Sequence, residues 1–321
     1  MQSKISVILP TFNGASRGYL KEAIESALLQ TYPDFELIII NDGSTDNTDG
    51  LCRKYADKPC VRYISQENKG LAAARNAGIK HSKGEYICLL DDDDLWLKDK
   101  LQQQIGFFMD SNDASLGMVY CAAELIDDNG NIFNVRYKDI GDDAYRKLLL
   151  EGNIISCPSS VMIKRDVLDR VGVFDEEMKS AEDLELWLRI SRQYRIRSIP
   201  QYLVKYRVHA NSITVNSCKR EEFFEYSLYF RLIQEGLNIN LNEDMIFGNL
   251  YQRTAIRHFS MGDYRQVRKF YRIAAAYTGT SLAAKAAFLL AHFPFIAETG
   301  KAIRRRIRLG LFKSNRQPDK N

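Results

Sequence analysis

The sequence predicts an α/β protein: a Rossmann-like, mostly parallel sheet flanked by helices, with a helical extension towards the carboxyl end. Two patterns carry that expectation. Short runs such as Tyr86 to Leu90 are apolar throughout, which marks strands buried on both faces rather than core helices. Stretches with helical apolar spacing follow them, across turns rich in Gly, Asp and Asn. With 321 residues, 45% of them hydrophobic, the chain can bury one large core and an appendage.

The first strand runs from Lys4 to Leu9, and Pro10-Thr11-Phe12-Asn13-Gly14 breaks it. Tyr19 to Gln30 places apolar residues at 20, 23, 24, 27 and 28, one stripe of a helix. Phe35 to Ile40 is a second buried strand, ending in Asn41-Asp42-Gly43-Ser44-Thr45-Asp46. Gly43 permits a tight turn, and Ser44 or Thr45 can cap a helix from Asn47 to Tyr55. Asp42 has no such duty, and a carboxylate at that edge suits the N–H of a base. A third strand, Val61 to Ser65, leads through Gln66-Glu67-Asn68-Lys69-Gly70 into a helix from Leu71. That helix carries Arg75 and Asn76 in its early turns, where a cation opposes the macrodipole and calls for a ligand or a carboxylate.

Four consecutive aspartates, Asp91 to Asp94, follow the fourth strand. Strands of an open α/β sheet present ligands at their carboxyl edge. Four like charges there repel unless a cation sits among them, and a hard divalent ion bridging phosphates meets that need. The competing reading is a solvated acidic turn, with Asp94 capping a helix from Lys98 to Asp110.

Taken together, Pro10-Thr11-Phe12-Asn13, Asn41 to Asp46, Asn68-Lys69-Gly70 with Ala74-Arg75-Asn76, and Leu90 to Asp94 resemble the family-2 glycosyltransferases of the GT-A fold. The resemblance spans roughly two thirds of the chain, residues 3 to 215. It implies an inverting enzyme that uses a nucleotide sugar, a UDP-sugar being the favoured donor. It assigns Pro10, Thr11, Asn13, Asp42, Asn68, Gly70, Arg75, Asp91 and Asp92 to the nucleotide, with Thr11, Asp42 and Arg75 on the nucleoside and Asp91 on the ribose. Asp93 is the implied ligand of Mn²⁺ or Mg²⁺. Asp92 fills the variable middle position of the family's Asp-X-Asp motif, and Phe12 stands where tyrosine is commoner.

The second half reads as the acceptor side. Gly152 to Ser160 is a loop of small residues, Val161 to Lys164 a strand, and Arg165 to Val171 a short helix before Gly172-Val173-Phe174-Asp175. Leu184, Trp187, Leu188 and Ile190 form a helical stripe, so Glu182 and Asp183 fall in its first turn. Acidic residues there commonly do no more than cap a helix. The resemblance instead makes Asp183 the catalytic base, with Glu182 and Trp187 on the acceptor side. In Tyr206-Arg207-Val208-His209, after a strand from Leu203, His209 is a candidate metal ligand or diphosphate contact, and Arg207 a candidate phosphate contact. The Gln-X-X-Arg-Trp signature of processive synthases is missing between Leu188 and Arg195, so one sugar per encounter is expected.

Six cysteines spaced 8, 28, 33, 36 and 61 apart form no metal or disulfide framework and suggest a reducing compartment. Neither a signal peptide core nor a run of about 18 apolar residues is visible. The net charge of +4 is uneven: residues 301–321 hold eight Lys or Arg against one Asp, while the other 300 hold 37 basic and 40 acidic residues. Ile303, Ile307 and Leu311 share a face opposite most of the arginines, as in an interfacial anchor on an anionic membrane. Aromatic residues do not interleave those arginines, which argues against nucleic acid. Expected domains are therefore 1–215 for the transferase, 216–300 for a helical extension with paired helices between Glu221 and Thr278, and 301–321 for the tail. The expected role is transfer to a glycan or lipid-linked acceptor in cell-surface synthesis, at the cytoplasmic face of the membrane. A catalytically idle nucleotide-sugar-binding subunit on the same fold is the alternative.

Overall fold

In a computed structural model, which describes residues 4–178, 181–209, 243–277 and 285, 286, 288, 289 and 291, nine strands join in one sheet. They are β1 Ile5–Thr11, β2 Phe35–Asp42, β3 Val61–Gln66, β4 Tyr86–Leu89, β5 Leu95–Trp96, β6 Leu116–Ile126, β7 Ile132–Arg136, β8 Val161–Lys164 and β9 Arg195–Arg207. Their spatial order is β3-β2-β1-β4-β8-β6-β9-β5, with β7 beside β6. β1 to β4 pair in parallel, and the half beyond β4 is mixed.

β1 and β2 each run two residues further than their sequences suggest, pairing Pro10 with Ile40 and Thr11 with Asn41. Pro10 is tolerated because Ile8 turns its carbonyl to Leu90 N. Two residues on, the donorless proline nitrogen therefore faces the same side, past the last β4 pair. Helix α1 (Gly14–Arg17) is a single turn, and α2 (Leu20–Leu28) buries Leu20, Ala23, Ile24 and Ala27, the predicted stripe. Helix α3 (Thr48–Arg53) starts at Asn47, so Ser44 and Thr45 are not its caps. Ser44 Oγ instead accepts Asn13 N, and Asp46 Oδ1 accepts Thr48 N. Helix α4 (Leu71–His81) lies so close to the sheet that a Cβ on Gly78 would meet Ile8 Cγ2 at 2.3 Å.

Helix α5 (Lys100–Asp110) starts at Asp99, not at Asp94, which is fully buried elsewhere. β9 is longer than expected because Pro200 hides its first half: the β6 partners jump from Ile199 to Tyr202, so Pro200 and Gln201 bulge out of the ladder. Helices α7 (Arg165–Val171) and α8 (Glu182–Ser191) complete this part, α6 (Ala144–Glu151) leads out of it, and the core gathers residues such as Leu9, Leu37, Leu90, Val119 and Val204.

Contacts divide the chain into two compact units, Met1–Tyr145 with Ile154–Glu225, and Arg146–Asn153 with Tyr226–Asn321. The sequence reading kept 146–153 with the first unit. In the second, α9 (Glu243–Met261) and α10 (Tyr264–Tyr277) form the expected pair, turning at Gly262 with φ +82°. Asp263 Oδ1 accepts Gln266 N at the start of α10, and Tyr251 and His258 stack on Phe270 across the pair. Arg253 donates to the Leu150 carbonyl. The expected helix before residue 243 and the basic tail at 301–321 lie outside the described residues. Among those described, no helix is long and apolar enough to cross a membrane.

Candidate active site

β4 releases the four aspartates at the carboxyl edge, and each carboxylate goes to a different part of the fold. Asp91 Oδ1 accepts Arg75 Nη2 at 2.8 Å, and Arg75 Nη1 reaches Glu182 Oε1, also at 2.8 Å. Asp92 Oδ2 takes the Thr11 hydroxyl and Arg17 Nη2, each at 2.5 Å. Asp93 Oδ2 lies 3.0 Å from His209 Nε2. Asp94 accepts Ser159 Oγ at 2.5 Å and Arg207 N at 2.9 Å. The quartet is therefore neither a solvated turn nor a bare cluster, because in-chain partners already occupy its carboxylates.

Burial pushes the Asp92 carboxyl up to about 7, against the pull of Arg17. Burial also raises Asp91, with Arg75 opposing and Asp93 adding to the rise. Glu182 is raised the same way, by burial against Arg75, with Asp183 pushing further. Arg75 is only 1% exposed and lies 5.3 Å over the Phe174 ring. Asn76 holds the Phe174 main chain, donating to its carbonyl and accepting its N–H. Arg75 thus bolts the aspartate turn to α8. Of the two partners expected for Arg75, a ligand or a carboxylate, the structure shows carboxylates, the half-buried Asp91 and Glu182, and a nucleoside contact would require it to give up one of them. Its Nε has no in-chain partner.

Other nucleotide-side expectations divide. Thr11 is 3% exposed with its hydroxyl on Asp92, so its side chain does not face a ligand. Pro10 is buried within β1. Asp42 accepts Gln66 Nε2, Lys69 N and Gly70 N at 2.7–3.0 Å, shaping the loop that holds Asn68 and Gly70. One lone-pair position on that carboxylate remains for a base N–H. Gly70 adopts φ +92°, open to glycine, and presents an exposed main chain with Asn68. Asn13, at φ +53°, ties its loop to Thr45 N through Oδ1 at 2.8 Å. Phe12 is 43% exposed at this rim, available to stack on a base.

On the acceptor side, Ala181 sits at φ +59° immediately before α8, an unusual conformation for alanine. It starts the helix so that Glu182 turns to Arg75 while Asp183 Oδ1 accepts Leu184 N at 2.7 Å. Neither acid is the N-cap residue. Trp187 does not belong to an acceptor surface: it is 0% exposed, packed edge-on to Phe174 at 6.4 Å. Its helical spacing already favoured the core. Arg207 is also corrected. It is 2% exposed and donates to main-chain carbonyls and Glu22, leaving none of it for a phosphate.

The family profile of glycosyl transferase family 2 matches residues 6–172. An uncharacterised glycosyltransferase of Rickettsia prowazekii is 36% identical over 228 residues, 69% of each chain. This chain belongs to glycosyl transferase family 2.

Similar too are a Bacillus subtilis teichuronic acid biosynthesis glycosyltransferase, TuaG (30% identity, 71% of this chain and 89% of that one), and the Escherichia coli glucosyltransferase WfgD (31%, 67% and 81%). The latter is described as acting from UDP-Glc on α-D-GlcNAc-diphosphoundecaprenol. Among solved structures, S. aureus TarS 1–349 with UDP-GlcNAc aligns with TM-score 0.63 at 21% identity, covering 93% of this chain and 92% of that one. A Pyrobaculum calidifontis mannosyltransferase with GDP-Man and Mn²⁺ gives 0.62 at 19%, covering 100% and 89%. The GT-A fold is thereby shown, and the transferase is an enzyme of this class.

Among the described residues, no three His, Cys, Asp or Glu side chains are grouped to hold a metal. The transferase offers two donors, Asp93 and His209. Asp93 Oδ2 and His209 Nε2 are hydrogen-bonded at 3.0 Å, so a carboxylate and an imidazole meet at one point. Magnesium-like ions commonly take one or two protein ligands and complete their shell with phosphates and water, so the pair fits such an ion. Sequence reasoning missed Arg17, Ser159, Ala181 and the buried duty of Arg207. Arginine and serine give no local signal of their partners, which lie 75 and 65 residues away for Arg17 and Ser159.

Proposed function

We propose that the transferase moves a single hexosyl group, with inversion, from a UDP-sugar to a glycan or lipid-linked acceptor in cell-surface polysaccharide or glycolipid synthesis. One observation carries this reading: Arg75 joins Asp91 to Glu182, setting the donor carboxylates and the start of α8 around one buried cation. Asp183, next to Glu182, is then the carboxylate that takes the acceptor hydroxyl proton as the oxygen attacks the anomeric carbon. The Leu184 N–H on Oδ1 fixes its rotamer for that transfer. Asp42 and the exposed Asn68–Gly70 main chain receive the base, with Phe12 against its face. Asp93 and His209 are the residues that would hold Mn²⁺ or Mg²⁺, and such an ion would supply positive charge to offset that of the leaving diphosphate. The names of TuaG and WfgD support the substrate class.

The test is Asp183→Asn, which keeps size and the oxygen facing Leu184 N but loses basicity. Transfer should fall by about 10²–10⁴-fold while donor binding and the melting curve persist. Near wild-type transfer would reduce Asp183 to a helix-terminal acid. If wild type itself turns over none of a panel of UDP-, GDP- and dTDP-sugars but binds one, the idle subunit is the correct reading.

A further inference from the structure

We propose that Arg207 is the positioning residue of the Asp93–His209 pair, and that Tyr19 carries its hold to the imidazole. The inference rests on the reading of that pair as the diphosphate and metal end of the site.

Arg207 reaches out in four directions from a buried position. Nε donates to the Asp93 carbonyl at 3.0 Å, and its own N–H donates to Asp94 Oδ1 at 2.9 Å. One residue therefore holds the aspartate turn at two successive positions. Nη1 donates to the carbonyls of Asp127 and Asp128 at 3.3 and 3.2 Å, where β6 turns towards β7. Nη2 pairs with Glu22 Oε2 of α2 at 2.6 Å. The guanidinium carbon lies 4.3 Å over the Tyr19 ring, and that ring lies 5.2 Å from the His209 ring, tilted by 46°. The Tyr19 hydroxyl donates to Asp128 Oδ1 at 2.6 Å, which fixes the ring between cation and imidazole.

His209 follows Arg207 by two residues, so both halves of the pair hang from this one side chain. A planar fork with five N–H donors serves that geometry, whereas a lysine is a point charge on a flexible stem. Outer groups of this kind set ligand orientation, and losing one typically costs 10–100-fold in metal affinity.

Arg207→Lys keeps the charge and removes the fork, and Tyr19→Leu removes the ring. The first readout needs no metal. The chain has four histidines, so the His209 ring C–H resonance is assigned by comparison with His209→Gln. Ring-current shielding by Tyr19 should be reduced in both variants. The second readout is Mn²⁺ titration by calorimetry with UDP present, where about 10–100-fold weaker binding is expected. Melting curves verify folding, and Glu22→Gln, which cuts only the outer end of the network, replaces Arg207→Lys if that variant does not fold. An unmoved resonance, or a moved one with unchanged Mn²⁺ affinity, overturns the proposal. If wild type binds no Mn²⁺ yet the resonance moves in the variants, the metal reading falls and the positioning role stands.

Discussion

Asp93 differs from its three neighbours in having an imidazole as side-chain partner, whereas Asp91, Asp92 and Asp94 face arginines, hydroxyls and a main-chain N–H. Removing it should therefore act on ligand binding more than on folding. Asp93→Ala is expected to abolish turnover and to remove the strengthening of donor binding by Mn²⁺, read by calorimetry with and without the ion. Unchanged, metal-enhanced donor affinity would remove Asp93 from the metal. Asp183, by contrast, should change the rate and spare the affinity. What was legible in the chain is where the two stand, Asp93 just past a buried strand and Asp183 in the first turn of a helix, while the roles expected of them come from the family resemblance. Trp187 was misplaced: an aromatic on a helical stripe is core unless something holds it open, and here Phe174 closes over it.

Elements of this fold are positioned by close approaches that no periodicity displays. A methyl at Gly78 would sit 2.3 Å from Ile8 Cγ2, while one at Gly106 would meet nothing within 4 Å. Both glycines lie inside helices, α4 and α5. Gly78→Ala should therefore lower stability, by about 1–3 kcal/mol for an overpacked contact. Gly106→Ala should raise it by about 0.5–1 kcal/mol, the ordinary propensity gain. Denaturant melts of the two variants should move in opposite directions. In the second unit, His258 stacks on Phe270, and burial holds its pKa below 6.5, with Asp263 partly opposing. The unfolded imidazole then takes up its proton at higher pH than the folded one. The stabilising contribution is present above about 6.5 and is lost as pH falls through the lower folded value. Hydrogen exchange of α9 and α10 should accordingly speed up between pH 7.5 and 5.5, after correction for intrinsic rates, and His258→Phe should flatten that difference.

Across the whole molecule, the charge is concentrated at the carboxyl end: residues 301–321 contribute +7 and the rest −3. Each basic residue near an anionic surface contributes on the order of 1 kcal/mol, so several can hold the transferase reversibly at a membrane. Salt should loosen that attachment, the Debye length being about 10 Å at 0.1 M. Truncation after Gly300 should release the protein from anionic vesicles while transfer to a soluble acceptor mimic continues. Equal vesicle binding by full-length and truncated chains, at low and high salt alike, would leave the tail a solvated terminus.

By itself the sequence determined the parallel half of the sheet, the strand ends that bear Asp42 and Asp91 to Asp94, the helix that begins at Glu182, and the family. All are local: apolar runs of strand length fix buried strands, and polar residues at their ends mark the ligand edge. Only the tertiary structure decided what those residues touch. Arg75 meets Glu182 across 107 positions, and Arg207 meets Glu22 across 185. An arginine reads the same in sequence whether it waits for a phosphate or lies buried among carbonyls. Which of the two it does depends on desolvation, and desolvation is set by the elements that close over it.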